Sequence, residues 1–456
     1  MDKALDSGNA VLSGSILKNF FALFVPSLIG LLSFSSASLV DGVFIGNYVG
    51  AEALAAINLL IPFLTFVFGI AYMLAIGGSV RAGKYIGEGR FDLASNTFSK
   101  IVIAIVTFAG FSVTLSLLFQ DTLFSFLGAT ESLRPLMAEY FQIRFPFLLI
   151  EVIIIVMYYF VRADGYPGFS AFGILMASAL NIVFDYIFMA HLGMGISGAA
   201  WATGLAQAFP VCLFMSYFFF KNRRLTFSFI QRQWKEIFQA SFNGLSEFIN
   251  ETSGSVVAFI LNWLLITSVG TSGVAAITII NYLIFVGIMI VYSFSEACQV
   301  FVSQNYGAQQ MKRVKQFLTL AIVACLLTSF SLIAILLGFT DQLVGVFLED
   351  EATSVLAAGY VDILWPIFLF NGINICISAY LTGIHAARPS ALIAISRGLL
   401  LPCILMYGLY QYGGNISFLW ALPIAEMLTF VLAIMLLVRY SPRTIQGKLS
   451  SAKVEA

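Results

Sequence analysis

The chain has 456 residues, 60% of them hydrophobic and 10% charged, against roughly 25% charged residues in an average soluble domain. Mean hydropathy is +0.95, which excludes a water-soluble fold; at about 20 residues per spanning helix, roughly a dozen spans fit. The 23 basic residues balance 23 acidic ones, so charge gives no reason to expect nucleic acid as a partner.

In chain order, apolar runs predict helices near 18–45, 54–80, 98–120, 138–161, 169–190 and 196–220. A second set follows near 238–267, 274–302, 317–339, 358–380, 390–411 and 416–438. The runs are continuously apolar instead of alternating with period two, which favours spanning helices over a barrel. The expected class is therefore an all-α polytopic membrane protein with twelve transmembrane helices. Its opening residues, with Asp2, Lys3 and Asp6, lead into the first apolar run without a short hydrophobic region and small-residue cleavage site, so an uncleaved first helix is expected.

Lysine and arginine set the expected orientation. Arg81, Lys84, Arg90, Lys100, Arg162, Lys221, Arg223, Arg224, Arg232, Lys235, Lys312, Arg313, Lys315, Arg388 and Arg397 are assigned to the even-numbered breaks. The odd-numbered breaks receive Arg134, Arg144 and the acidic set Asp341, Glu349, Asp350 and Glu351. Even breaks and both termini, with Lys3 and Lys18 at one end and Arg439, Arg443, Lys448 and Lys453 at the other, are expected in the cytoplasm.

A long internal repeat is visible in the chain itself. Val49, Gly50, Ala55, Ala56 and Ile57 recur as Val269, Gly270, Ala275, Ala276 and Ile277, and the same 220-residue offset carries Gly87 onto Gly307, Tyr140 onto Tyr360 and Pro146 onto Pro366. Six helices per repeat return the chain to its starting side. Two same-sense six-helix bundles, 1–225 and 226–456, related by a pseudo-two-fold axis along the membrane normal, are expected. Such halves leave a cleft that rocking can open to alternate sides, which is transporter architecture.

Ionisable groups inside a membrane are costly and are the first functional candidates. Asp41 ends the first helix, and Asn181 and Asp185 share one face of the fifth. Counting about 1.5 Å per residue brings Tyr140 of the fourth helix and Thr203 of the sixth to a similar depth. The cluster suits a bound proton or a hard cation such as sodium, held by Asp41, Asn181, Asp185 and Thr203. The competing reading makes both aspartates water-accessible helix caps. Pro26 interrupts hydrogen bonding inside the first helix and is a candidate hinge or static kink.

A second polar zone is built on the seventh helix, where Glu247 and Glu251 share a face, with Glu296 on the eighth and Asn371 and Asn374 on the tenth. It suits a cationic substrate or second ion; a water-lined closing interface is the alternative. Some of the 45 Phe are expected to line the cleft and receive aromatic cations. His191 and His385 fall in breaks. The five cysteines lie in apolar runs with no metal or redox spacing, so buried thiols are expected.

The twelve-helix duplicated layout, the stretch from Asp41 to Pro62 (DGVFIGNYVGAEALAAINLLIP), the Gly83 to Gly89 turn and its counterpart ending Asn305, Tyr306, Gly307 together resemble the multidrug and toxic compound extrusion (MATE) family over essentially the whole chain. The resemblance implies export of bulky, often cationic amphipathic compounds in exchange for protons or sodium from a prokaryotic plasma (inner) membrane. In the DinF-like branch it implies functional weight on positions that correspond here to Asp41, Tyr140, Asn181, Asp185, Thr203 and Pro26. The NorM-like branch looks to an acid in helix 10, where this chain offers Asn371 and Asn374, with Asp362 near the outer end.

The expected activity is proton-coupled secondary efflux, with sodium as the alternative ion, no cofactor, and a monomer. One proton exchanged for one monovalent cation moves no net charge, so each pH unit supplies about 1.36 kcal/mol; a second ion would add roughly 2.3 kcal/mol per 100 mV. A lipid or glycan-precursor flippase is the rival transporter and predicts a strongly basic cavity. A receptor or scaffold would bind without ion-dependent flux. An enzyme is not expected, because no metal-ligand cluster, nucleophile elbow or phosphate loop is present.

Overall fold

A computed structural model describes residues 10–229, 233–345, 351–414 and 416–447. Lys3, Arg232, Glu349, Asp350, Lys448 and Lys453, which entered the orientation argument, lie outside the described residues. Among the described residues the regular structure is entirely helical. The helices long and apolar enough to span are α1 (Ile16–Val49), α2 (Ala51–Gly87), α3 (Phe91–Leu118), α4 (Arg134–Ala163), α5 (Pro167–His191) and α6 (Gly195–Phe219). They continue with α7 (Leu245–Ser268), α8 (Thr271–Gly307), α9 (Met311–Gly338), α11 (Ala387–Tyr412) and α12 (Ser417–Gly447); α10 is a bent pair, Thr353–Leu364 and Ile367–Gly383.

Helix ends keep the 220-residue offset. Helix α2 runs 51–87 and α8 runs 271–307; α3 runs 91–118 and α9 runs 311–338. Gly50 and Gly270, each directly before one of these long helices, take φ values of 114° and 91°, a backbone region open to glycine and strained for other residues. Both halves also break a helix at the repeated proline. Pro146 lies in a 3-10 turn, Phe145–Phe147, inside α4; Pro366 lies in the break of α10, whose two pieces meet at 51°. A proline supplies no N–H to the helix ladder, and the chain turns there. The tenth span is thus broken where a continuous run over 358–380 was expected.

The chain divides into two compact units, Val25–Gly244 and Leu245 onward; the latter also takes Gly14–Phe24, the opening of α1. In the first unit, Phe98, Phe160, Tyr217 and Phe214 are fully buried in the core. The segment following α6 is strapped to that unit by side chains: Ser95 Oγ accepts from Thr226 N (3.1 Å) and donates to the Arg224 carbonyl (3.1 Å), and Ser99 Oγ accepts from Ser228 N (3.1 Å).

A short helix, Lys235–Asn243, then lies against α2, and the seventh span begins only at Leu245, not near 238 as expected. The contact uses two glycines: a Cβ on Gly77 would stand 2.0 Å from the Ala240 carbonyl oxygen, and one on Gly244 would stand 2.0 Å from that of Met73. Glu236 fixes the helix by accepting from Lys100 Nζ (2.9 Å), Tyr85 Oη (2.8 Å) and Arg81 Nη2 (3.2 Å). Burial alone would raise the Glu236 carboxyl, but these bonds and the Lys100 charge outweigh it and hold the group below its ordinary value.

In the second unit, Phe24 stacks on Phe294 at 4.1 Å between ring centroids, and Arg313 Nη2 bonds the Gly14 carbonyl at 3.0 Å, which ties down the start of α1. Leu261, Leu264, Tyr360 and Phe418 are buried in its core. The thiols of Cys325 and Cys376 lie 3.2 Å apart, neighbours that sequence spacing did not reveal. Large apolar side chains such as Phe259, Phe111 and Leu327 are 74%, 66% and 65% exposed; on this many helices such exposure suits lipid, not water.

Candidate functional site

In the first unit, α1, α4, α5 and α6 each bring polar side chains inward. Asp185 is fully buried, and Asn181, one turn earlier on α5, donates Nδ2 to its Oδ1 at 3.4 Å. The Asp41 and Asp185 carboxyls lie within hydrogen-bonding reach of each other. Asp41 Oδ1 and Asp185 Oδ2 are both buried without a hydrogen-bond partner among the described residues. Two carboxyls in that position can share a proton or flank a small cation, whereas both ionised they repel at short range.

Each aspartate sits beside a π-helical turn. Asp41 is followed by Ile45–Val49, and Asp185 is the last residue before Tyr186–His191. Such widened turns recur at functional sites. Tyr140 is buried on α4, with its phenol near Arg144. Thr203 stands apart in its bonding: its hydroxyl donates to the Ala199 carbonyl of its own helix at 3.1 Å. Helix α1 continues unbroken through Pro26, and the division between the two units falls at Phe24 and Val25.

Sequence reasoning missed an ion pair here. Arg144, assigned to a loop, lies inside α4, 5% exposed, and binds Glu151 two turns on; Gln207 Nε2 also donates to Glu151 Oε1 at 3.3 Å. A basic residue seven positions before an acid, both within one apolar span, is the signal that was available.

In the second unit, Glu247 accepts from Gln299 Nε2 of α8 at 3.4 Å; Glu251 follows one turn later on α7, and Glu296 is buried on α8, one turn before Gln299. Asn371 and Asn374 turn elsewhere. Their amides donate to the two carboxylate oxygens of Glu426 on α12, both at 2.8 Å, and Asn374 also donates to the Glu426 backbone carbonyl at 2.9 Å. Arg397 Nη2 bonds Glu426 Oε1 at 3.0 Å, and Nη1 reaches Asn250 Oδ1 at 3.4 Å.

This corrects the placement of Arg397 in a loop: it lies ten residues into α11, inside the π turn Ser396–Leu400, about 15 Å along the helix. The acid that helix 10 lacks is thus supplied to Asn371 and Asn374 from α12. Arg162, also assigned to a loop, is buried at the end of α4, with its guanidinium 5.0 Å and 4.9 Å from the Tyr158 and Tyr159 rings.

A family model, MatE, matches residues 26–187 and again 249–407, once in each half of the repeat. The chain belongs to the MATE family of transporters. It is 24% identical over 452 residues to the multidrug export protein MepA of Staphylococcus haemolyticus, covering 97% of each chain. It is 27% identical over 432 residues to the FAD transporter of Shewanella oneidensis, covering 92% of this chain and 94% of that one. Among solved structures, an outward-facing multidrug resistance MATE family transporter of the MOP superfamily superposes with a TM-score of 0.88 at 23% identity, over 98% of this chain and 99% of the other. The MATE membership makes this chain a multi-pass membrane transporter and not an enzyme.

Proposed function

We propose that this MATE protein is a secondary active efflux antiporter of the DinF-like branch. It exports cationic and amphipathic compounds from a prokaryotic plasma membrane by alternating access, as a monomer with both termini in the cytoplasm. The observation that supports this reading best is the approach of Asp41 and Asp185 from two spans, each with one buried, unbonded oxygen. A proton is the preferred coupling ion, because a pair of adjacent carboxyls meets its repulsion most simply by sharing one. Sodium, with Asn181 and Thr203 as further oxygen ligands, is the alternative.

In this mechanism the ion loads the Asp41 and Asp185 pair, α1 flexes at Pro26, and cargo leaves. The division of α1 between the two units beside that proline supports the hinge. Glu247, Glu251 and Glu296 form the zone for the positive charge of the cargo, while Asn371 and Asn374 shape its edge through Glu426. A flippase of the same superfamily is less well supported, because among the described residues the buried Arg144 and Arg397 each pair with a glutamate, so neither offers a net positive charge to a phosphate.

The test is efflux from proteoliposomes under an imposed pH gradient and, separately, an imposed sodium gradient, with ethidium as the cationic probe. FAD serves as an anionic probe, because one relative is named for it. Ethidium efflux under the pH gradient, lost in Asp41→Asn at equal membrane insertion, is expected. Undiminished efflux in that variant removes Asp41 from the mechanism.

A further inference from the structure

Arg144 is a buried cation with spare bonding capacity. Its Nη2 holds Glu151, while Nε and Nη1 are buried with no hydrogen-bond partner among the described residues. A guanidinium presents five N–H donors in a fixed fork, so such a group in a dry site is under-used. The Arg144 charge acts on Asp41, whose Oδ1 is equally unbonded, and the Tyr140 phenol lies beside the guanidinium. The charged and titratable groups facing one another are Asp41 on α1, Tyr140, Arg144 and Glu151 on α4, and Asp185 on α5, with the neutral amides of Asn181 and Gln207 completing the wall.

The charges do not balance in a single arrangement. Arg144 and Glu151 cancel, so Asp41 and Asp185, buried together, need a cation when both are ionised. We propose that Arg144 is a positioning residue for the coupling site: it stays on Glu151 while an ion occupies the Asp41 and Asp185 pair, and turns its unbonded donors onto Asp41 once the ion has left. Glu151 can release it because Gln207 still donates to the same carboxylate. The guanidinium then competes with the incoming ion for Asp41, which makes loading dependent on displacing an internal cation; the net charge of the group is unchanged, and the uncompensated carboxylate passes from Asp41 to Glu151, where Gln207 keeps one hydrogen bond. Covalent bonds are unchanged throughout; only hydrogen bonds are exchanged.

This inference depends on Asp41 as the coupling carboxylate, and the experiment separates the two. The full chain is purified as wild type, Asp41→Asn, Arg144→Gln, Arg144→Lys and Glu151→Gln. The protonated-carboxyl infrared band that Asp41→Asn removes is titrated with pH, so that no transported compound is needed. Ethidium efflux is measured on the same preparations. With the guanidinium charge gone, the band midpoint in Arg144→Gln is expected to move to higher pH by about one unit; in Glu151→Gln, where Arg144 is free to stay on Asp41, it is expected to move lower by about as much. Arg144→Lys, which keeps the charge, should stay within half the Arg144→Gln displacement.

Midpoints that stay in place overturn the proposal; a fixed pair moves them by charge alone, so an Arg144→Gln/Glu151→Gln double variant whose midpoint falls from that of Arg144→Gln as far as Glu151→Gln falls from wild type overturns it too. Should Arg144→Gln fail to insert, Glu151→Gln decides alone: an unmoved midpoint overturns it. Absence of any band assignable to Asp41 overturns both this inference and the coupling role. A band present, efflux lost in Asp41→Asn, and immobile midpoints in the other variants overturn only the role of Arg144.

Discussion

Arg397 and Glu426 meet inside the second unit at 3.0 Å between Nη2 and Oε1, with the Arg397 Nε at 3.2 Å from the same oxygen. Removing one member of such a pair leaves a charge with no compensation, at a cost of about 3–5 kcal/mol, whereas replacing both by apolar groups of similar size is often neutral. Glu426→Leu is therefore expected to lower the thermal midpoint of the detergent-purified protein sharply. Adding Arg397→Met should recover the share due to the uncompensated charge, while the Asn371 and Asn374 amides stay without their acceptor. A double variant as unstable as the single one would show that the pair is not the source of the effect.

The glycine at 77 is expected to be irreplaceable by alanine, because the new methyl meets the backbone carbonyl of Ala240 and not a flexible side chain. Overpacking of this kind costs about 1–3 kcal/mol. Gly254, in the interior of α7 with open space around it, is the matched control: Gly254→Ala should be neutral or stabilising by about 0.5–1 kcal/mol. Unfolding midpoints of the two variants, compared directly, check the claim.

Asp164, in the turn after α4, gives a pH dependence with a definite sign. Burial pushes its carboxyl up to about 6, against hydrogen bonds from the Tyr217 hydroxyl (2.6 Å) and the Arg224 backbone N–H (3.1 Å) that favour the charged form. The folded protein thus holds this proton more tightly than the unfolded chain. Stability is expected to rise as pH falls from about 7 through 6 towards 4, by an amount of up to about 3 kcal/mol. Asp164→Asn should flatten that part of the stability profile. An unchanged slope in the variant assigns the pH dependence to other groups.

Pro26→Ala restores an N–H that can bond the Ala22 carbonyl across the middle of α1. If flexing at this point is part of the cycle, efflux falls several-fold while the unfolding midpoint holds or rises. Wild-type efflux in Pro26→Ala would make the proline a static feature of the helix.

Glu247→Gln and Glu251→Gln should each weaken equilibrium binding of ethidium at least several-fold and leave binding of an uncharged probe of similar size unchanged, because only the attraction for positive charge is removed. Equal losses for both probes would point to packing instead of charge.

The spans and the repeat were legible because continuous apolar length and a conserved offset are properties of the chain itself. Asn181 and Asp185 were legible for a similar reason: four residues on a helix fix a shared face. What escaped was contact between distant segments. Glu426 drew no attention in an apolar run, yet it is the acceptor that turns Asn371 and Asn374 away from Glu247. Arg144 and Arg397 were assigned to loops because single arginines usually mark span ends; their burial depends on glutamates brought to them by the fold. Thr203 was included by counting depth along its helix, but a threonine in a helix can satisfy itself on its own backbone, and this one does. The late start of the seventh span was hidden because the short helix before it is also apolar on one face.

Helices α2 and α8 each have 37 residues, about 55 Å of helix against a hydrocarbon layer of roughly 30 Å, so a good part of each must project beyond the bilayer. Because six crossings, α3 to α8, lie between the turn at Glu88 and the one at Ala308, whichever compartment receives the first also receives the second. A membrane-impermeant maleimide, applied to single-cysteine variants at these two positions, must therefore label both from one face of a sealed vesicle and neither from the other.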